Sequence, residues 1–162
     1  MIHLSKKTKL TLLAGLLIIF VTSCMSTKKF EKEEESLIQD YLAKNPDLEF
    51  ELKPSGLYYL EILTGTGPAA ETHDTAYIFY AAKYLDGSTF ETNVGTTDTL
   101  ITLVNEGYLI AGFDEGITYM KEGGKSQLII PSYLGYGQSG YFFPAYTPVL
   151  IEVHLVKVIQ GP

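Results

Sequence analysis

The sequence predicts an α+β domain in which antiparallel strands pack against one short helix. Three observations carry this. Alternating stretches rich in β-branched and aromatic residues recur from Ser55 onward, separated by turns bearing glycine or proline. One segment among them, LIAGFDEGITYM at 109–120, is too apolar for a loop and too short for a bilayer, which takes about 20 residues. The last stretch, PVLIEVHLVKVI, sets Val149, Ile151, Val153 and Leu155 on one face and Glu152 and His154 on the other. A sheet with one apolar face needs a cover, and the short helix supplies it.

The chain opens with MIHLSKKTKLTLLAGLLIIFVTSC. A basic start, a short apolar run and small residues at the end are the three parts of an export signal, assigned to residues 1–23. The ending VTSC resembles the bacterial lipobox, in which a lipid is placed on the cysteine thiol after cleavage just before it. Cys24 is the one cysteine in the chain, so an internal disulfide is impossible. The expectation is a lipid on Cys24 and an exported protein anchored in the bacterial cell envelope, with the outer membrane as its location. Several acyl chains on that residue would hold it stably.

Residues 24–54 read as a tether, MSTKKF, followed by a helix over about 31–44. Acids crowd its first turns, where the helix dipole favours them. Leu37, Ile38, Tyr41 and Leu42 form one apolar stripe, and Asn45 with Pro46 ends it. This helix either packs on its own domain, props the domain off the membrane, or pairs two chains.

The domain itself is expected over 55–162. GLYYLEIL alternates, with Tyr58, Leu60 and Ile62 on one side. TAYIFYAAKY and the LDGSTF bend make a hairpin turning at Asp86-Gly87. TLITLV is a further strand. In the short helix, Ile110, Phe113, Ile117 and Met120 share a face, and Asp114, Glu115, Thr118 and Lys121 lie away from it. KSQLIIP, a glycine-rich loop and the final strand complete the order.

Composition excludes several function classes. The net charge is −7, and beyond Cys24 nine lysines face 19 acids; the chain has no arginine and no tryptophan. Such a surface repels phosphates and argues against nucleic acid. GYGQSG at 135–140 matches G-x-G-x-x-G, but Pro144 and Pro148 forbid the helix a dinucleotide site requires. His3, His73 and His154 lack ligand spacing, so no metal is expected. No serine stands in a nucleophile elbow. No cofactor is called for.

LIAGFDEGITYMKEGGKSQLIIPSYLGYGQSG, FPAYTPVLIEVHL and, upstream, DTAYIFYAAKYLDGSTFETN together resemble the FKBP-type peptidyl-prolyl isomerase family over residues 55–159. The resemblance implies a curved antiparallel sheet wrapped around the short helix. It implies that Tyr80, Phe90, Ile110, Phe113 and Ile151 wall and floor a pocket for a prolyl ring. Leu109 and Ile110 would present backbone groups to a peptide, and Tyr136 would offer its hydroxyl to a carbonyl. Tyr141, Phe142 and Phe143 would form a mobile rim, and Tyr77, Phe79 and Tyr119 would be ordinary core. Proline-containing polypeptides are the implied partners.

Departures from the family pattern stand at named positions. Phe113 replaces tryptophan, Glu91 replaces aspartate in the catalytic group, and Ile151 replaces phenylalanine. Ala145 replaces proline, and Ala81 and Ala82 stand where glycine is usual. Modest isomerase activity and weak binding of macrolide inhibitors are the expectation. A non-catalytic proline-peptide or chaperone module and a structural envelope lipoprotein are the other readings.

Overall fold

The computed structural model describes residues 27–137 and 143–161, so the leader, Cys24, Tyr141 and Phe142 lie outside the described residues. Among the described residues helix α1 runs over 27–44, so it is already formed four residues before its expected beginning and takes in much of the stretch read as tether. An i,i+4 pair, Lys29 to Glu33 at 3.7 Å, supports that first turn. The end falls as the sequence predicts: Asn45 leaves the helix and donates its side-chain amide to the carbonyl of Tyr41.

The strands are β1 (Glu51–Leu52), β2 (Tyr58–Leu63), β3 (Thr75–Tyr84), β4 (Thr89–Thr92), β5 (Leu100–Leu103), β6 (Lys125–Ile130) and β7 (Val149–Ile159). Helix α2, Ala111–Thr118, lies between β5 and β6, and a 3-10 turn, Ser132–Leu134, follows β6. All pairs are antiparallel, in the order β1-β2-β6-β7-β3-β4, with β5 also on β3. The α+β class holds. The sheet reaches back to Glu51, upstream of the expected domain start at Ser55.

β3 and β7 are the spine, paired from Thr75↔Ile159 to Tyr84↔Val149. The other edge of β3 is divided. Its first half pairs with β5 and its second half with β4. Asn93 fills the gap: its side chain accepts from the Tyr80 N–H at 2.7 Å and donates to the Ile78 carbonyl at 3.0 Å. A side-chain amide here does what a strand backbone would do.

α2 lies on one face of the sheet. Phe113, Ile117 and Met120 are buried with Ile78, Leu128, Ile130, Val149, Ile151, Val153 and Leu155. The two glycines of the greasy helix have a steric reason. A Cβ on Gly112 would fall 2.6 Å from Ile130, and one on Gly116 would fall 2.5 Å from Leu128. Without side chains there, the helix settles directly onto β6.

α1 covers part of the opposite face, where Ile38 is buried with Tyr58, Ile129 and Leu150. Packing on its own domain is therefore the arrangement found. Its apolar stripe is narrower than expected, because Leu37 remains exposed.

Two other expectations are corrected, for Asp114 and Tyr119, and one is refined. In β2 the side shared by Tyr58, Leu60 and Ile62 is the one that bears α1, with Tyr58 packed there and Ile62 exposed, while Tyr59 joins Leu57 in the main core on the other side. Both faces are covered at that point, so alternation carries no signal. Asp114 is buried, not solvent-facing, because it accepts from the backbone N–H groups of Asn105 and Gly107 at 2.7 and 2.9 Å. Tyr119 is an exposed residue rather than core, its hydroxyl donating to Glu115 at 2.8 Å. Tyr77 and Phe79 are half-buried.

Candidate active site

Four elements aim aromatic side chains at one end of the sheet's α2-bearing face. β3 contributes Tyr80, and α2 contributes Phe113; their ring centroids are 5.6 Å apart. β4 contributes Phe90. The segments after the 3-10 turn contribute Tyr136 and Phe143, stacked with centroids 4.2 Å apart and planes at 27°. Phe90 meets Phe143 at 5.0 Å and the edge of Tyr136 at 6.2 Å. Offset and edge contacts of this kind are the favoured arrangements of aromatic quadrupoles.

The floor is apolar. Phe113 and Ile151 are buried, and Leu109, Ile110, Leu134 and Phe143 pack half-buried around them. Ile110 occupies the position before α2 with φ −60° and ψ 143°, an extended conformation. Ile110 is therefore extended at the lip, and the chain bends at Leu109 just before it. Asp114 steadies this approach by holding the turn at 105–107.

One polar contact is built into the wall. The Tyr80 hydroxyl donates to Glu91 Oε1 at 2.6 Å. The two residues are diagonal neighbours across β3 and β4, since Glu91 pairs with Ala82. The extra methylene of glutamate is used for reach. Burial first, then this carboxylate, pushes the Tyr80 phenol far above its ordinary value. Tyr136 is raised as well, by burial first and then by the charge of Glu91. Both phenols stay protonated at neutral pH. Tyr80 has committed its proton to Glu91, and the Tyr136 hydroxyl has no hydrogen-bond partner among the described residues, so it can donate to an incoming carbonyl.

The structure thus brings together Tyr80, Phe90, Glu91, Leu109, Ile110, Phe113, Tyr136, Phe143 and Ile151 around this end of the core. Two residues escaped sequence reasoning. Tyr84 stacks on Phe143 with centroids at 5.5 Å and meets Phe90 at 5.0 Å. Its signal was available, because Tyr80, Ala82 and Tyr84 alternate onto one face of β3. Asn93 anchors Tyr80 through the backbone, and no local pattern marks it. Among the described residues no cluster of His, Cys, Asp or Glu is placed to hold a metal ion.

The sequence model of FKBP-type peptidyl-prolyl cis-trans isomerases matches residues 67–156, more than half of the chain. The chain belongs to this family. By family it is a peptidyl-prolyl cis-trans isomerase. The FK506-binding protein of Neisseria meningitidis serogroup B is 33% identical over 107 residues, covering 65% of this chain and 98% of that protein. FK506-binding protein 4 of Dictyostelium discoideum is 34% identical over 119 residues, and the match spans only 32% of its length. Among solved structures, FkpA from Escherichia coli aligns over 98% of this isomerase and 75% of that chain, with a TM-score of 0.71 and 26% identity. A peptidyl-prolyl isomerase from Pseudomonas syringae aligns over 83% and 96%, with a TM-score of 0.69 and 25% identity. The isomerase thus shares its fold with bacterial relatives, α1 included in the wider alignment.

Proposed function

We propose that this isomerase acts on X-Pro bonds of exported proteins, with modest activity, while anchored to the bacterial cell envelope through lipid on Cys24. The observation that carries the catalytic part is the apolar floor of Phe113 and Ile151 beneath an aromatic wall in which Tyr80 is bound to Glu91 and the exposed Tyr136 hydroxyl has no partner among the described residues. Rotation about the amide costs ~18–20 kcal/mol because resonance is lost. No covalent bond breaks, so no nucleophile or metal is needed. The planar amide is more charge-separated than the twisted one. A water-poor pocket therefore raises the planar state relative to the twisted state, and a bond from Tyr136 to the carbonyl of the substrate holds the chain in a bend. Lowering the barrier by about 4 kcal/mol would speed the reaction about a thousandfold.

The modest rate follows from the floor. Phe113 offers a bound proline fewer atoms than tryptophan would, and Ile151 offers a branched chain instead of a flat ring. The missing dispersion contacts amount to about 1–2 kcal/mol. Macrolide inhibitors would lose the same contacts and bind weakly. Two measurements test this reading. Proline-limited refolding of a reporter should be accelerated by the purified full chain, and no acceleration at any enzyme concentration would reject catalysis. Mass spectrometry of the mature protein should find lipid on an N-terminal Cys24, absent in Cys24→Ser; an N-terminus well downstream would reject the anchor.

A further inference from the structure

Tyr136 stands between two glycines, Gly135 and Gly137, and Gly137 has φ +81°. Glycine is conformationally permissive, so such a segment does not fix its own side chain. The structure supplies external hooks. Ser132 is the first. Its backbone N–H and its hydroxyl both donate to the carboxylate of Glu34 on α1, the hydroxyl at 2.7 Å. Its carbonyl accepts from the N–H groups of Gly135 and Gly137, at 2.9 and 2.8 Å. Glu34 is only 5% exposed, a burial that carboxylates tolerate when paired in this way.

The second hook lies one helical turn earlier. Phe30 stacks on Tyr146, with centroids 5.2 Å apart and planes at 21°. Tyr146 adopts a left-handed φ of +52°, and its N–H donates to the Gly137 carbonyl at 3.3 Å. Phe143, three residues before it, carries the ring that stacks on Tyr136. The first turns of α1 therefore grip both segments of the rim, through Glu34 to 132–137 and through Phe30 to 143–146.

We propose that α1 is a positioning element for the substrate site, with Glu34 and Phe30 setting the placement of Tyr136 and Phe143. This rests on the reading that Tyr136 meets the substrate. A rim ordered beforehand is not ordered at the expense of binding. The contact to Tyr136 is made in the ground state and the twisted state alike, so its loss raises KM more than it lowers kcat.

The test uses the full chain. Glu34→Ala should weaken affinity for a short X-Pro peptide about tenfold with kcat little changed. Glu34→Gln should restore most of it, since its amide oxygen still accepts from the Ser132 N–H and its NH2 can donate to Ser132 Oγ. Phe30→Ala, at a half-exposed ring, should give a smaller loss in the same direction and folds even if Glu34→Ala does not. Tyr136 ring resonances in the unliganded protein provide a substrate-free reading: they should shift in both alanine variants and return in Glu34→Gln. Folded alanine variants with wild-type peptide affinity and unmoved Tyr136 signals overturn the proposal. A wild type that neither binds nor turns over X-Pro peptides, with the Tyr136 signals shifting as described, would reject the functional reading while supporting the clasp.

Discussion

With the Tyr80 hydroxyl donating to Glu91 at 2.6 Å, the Tyr136 hydroxyl stays without a partner among the described residues, and this division of labour can be tested one atom at a time. Tyr136→Phe should reduce kcat/KM on a proline peptide several-fold and leave Tm almost unmoved, because the lost hydroxyl strands no buried partner. A drop of many degrees would make Tyr136 structural instead. Glu91→Asp has the opposite logic. The family's shorter aspartate would withdraw the carboxylate by about one C–C bond, ~1.5 Å, and open the bond to Tyr80. The expected result is a several-fold loss of activity; a gain would show that the reach of Glu91 obstructs the pocket. The motif positions of these residues were legible in the sequence. The partner of Glu91 was not, because a cross-strand diagonal depends on the register of β3 with β4, and that pairing shifts between Ala82 and Lys83.

Among elements, α2 and β7 were readable because each keeps a clean apolar period on the face that meets the main core. Phe113, Ile117 and Met120 keep helical spacing, and Val149 to Leu155 keep alternation. In β2 alternation did not show which side meets the core, because α1 and the main core bury Tyr58 and Tyr59 from opposite sides. β1, two residues long, has no period at all. The hydrogen bonds from Ser132 to Glu34 span 98 residues, a separation at which local pattern is silent. The glycines of α2 were visible as an oddity whose cause is steric. Gly116→Ala tests that cause. Alanine is the better helix former by about 1 kcal/mol, yet the added methyl must displace fully buried Leu128. Overpacking costs of ~1–3 kcal/mol should win. Tm should fall by about 2–4 °C for each kcal/mol lost. An unchanged or raised Tm would mean that α2 can lift off β6 freely.

For the whole molecule, seven tyrosines set an alkaline limit. Tyr80 is held above its ordinary 10.0, Tyr119 is pushed up to about 12, and Tyr41, Tyr58, Tyr59, Tyr133 and Tyr136 are raised in the same direction, burial leading in every case. In the unfolded chain these phenols ionise near pH 10, while the folded protein keeps their protons. Proton loss then favours unfolding, so this stability is complete below pH ~10 and falls as pH rises further. His154 works at the other end. Burial, and then Lys125, lower its value, so its contribution is complete above pH ~6.5 and declines as pH falls. Denaturant midpoints across this range should show a plateau between the two limits. A midpoint that keeps rising from pH ~9 to ~11 would contradict the tyrosine argument.

The early start of α1 has a geographical consequence. α1 is already helical at residue 27, three residues beyond Cys24. Three residues span at most ~10 Å even when fully extended. With a lipid on Cys24, the leash is that short, and Phe30, already touching the pocket rim, lies six residues beyond it. The site would then sweep a thin layer over the headgroups instead of a deep hemisphere of solvent. Polypeptides would be met as they cross or leave the membrane surface, at high local concentration, and those that diffuse away into the compartment would be beyond its reach.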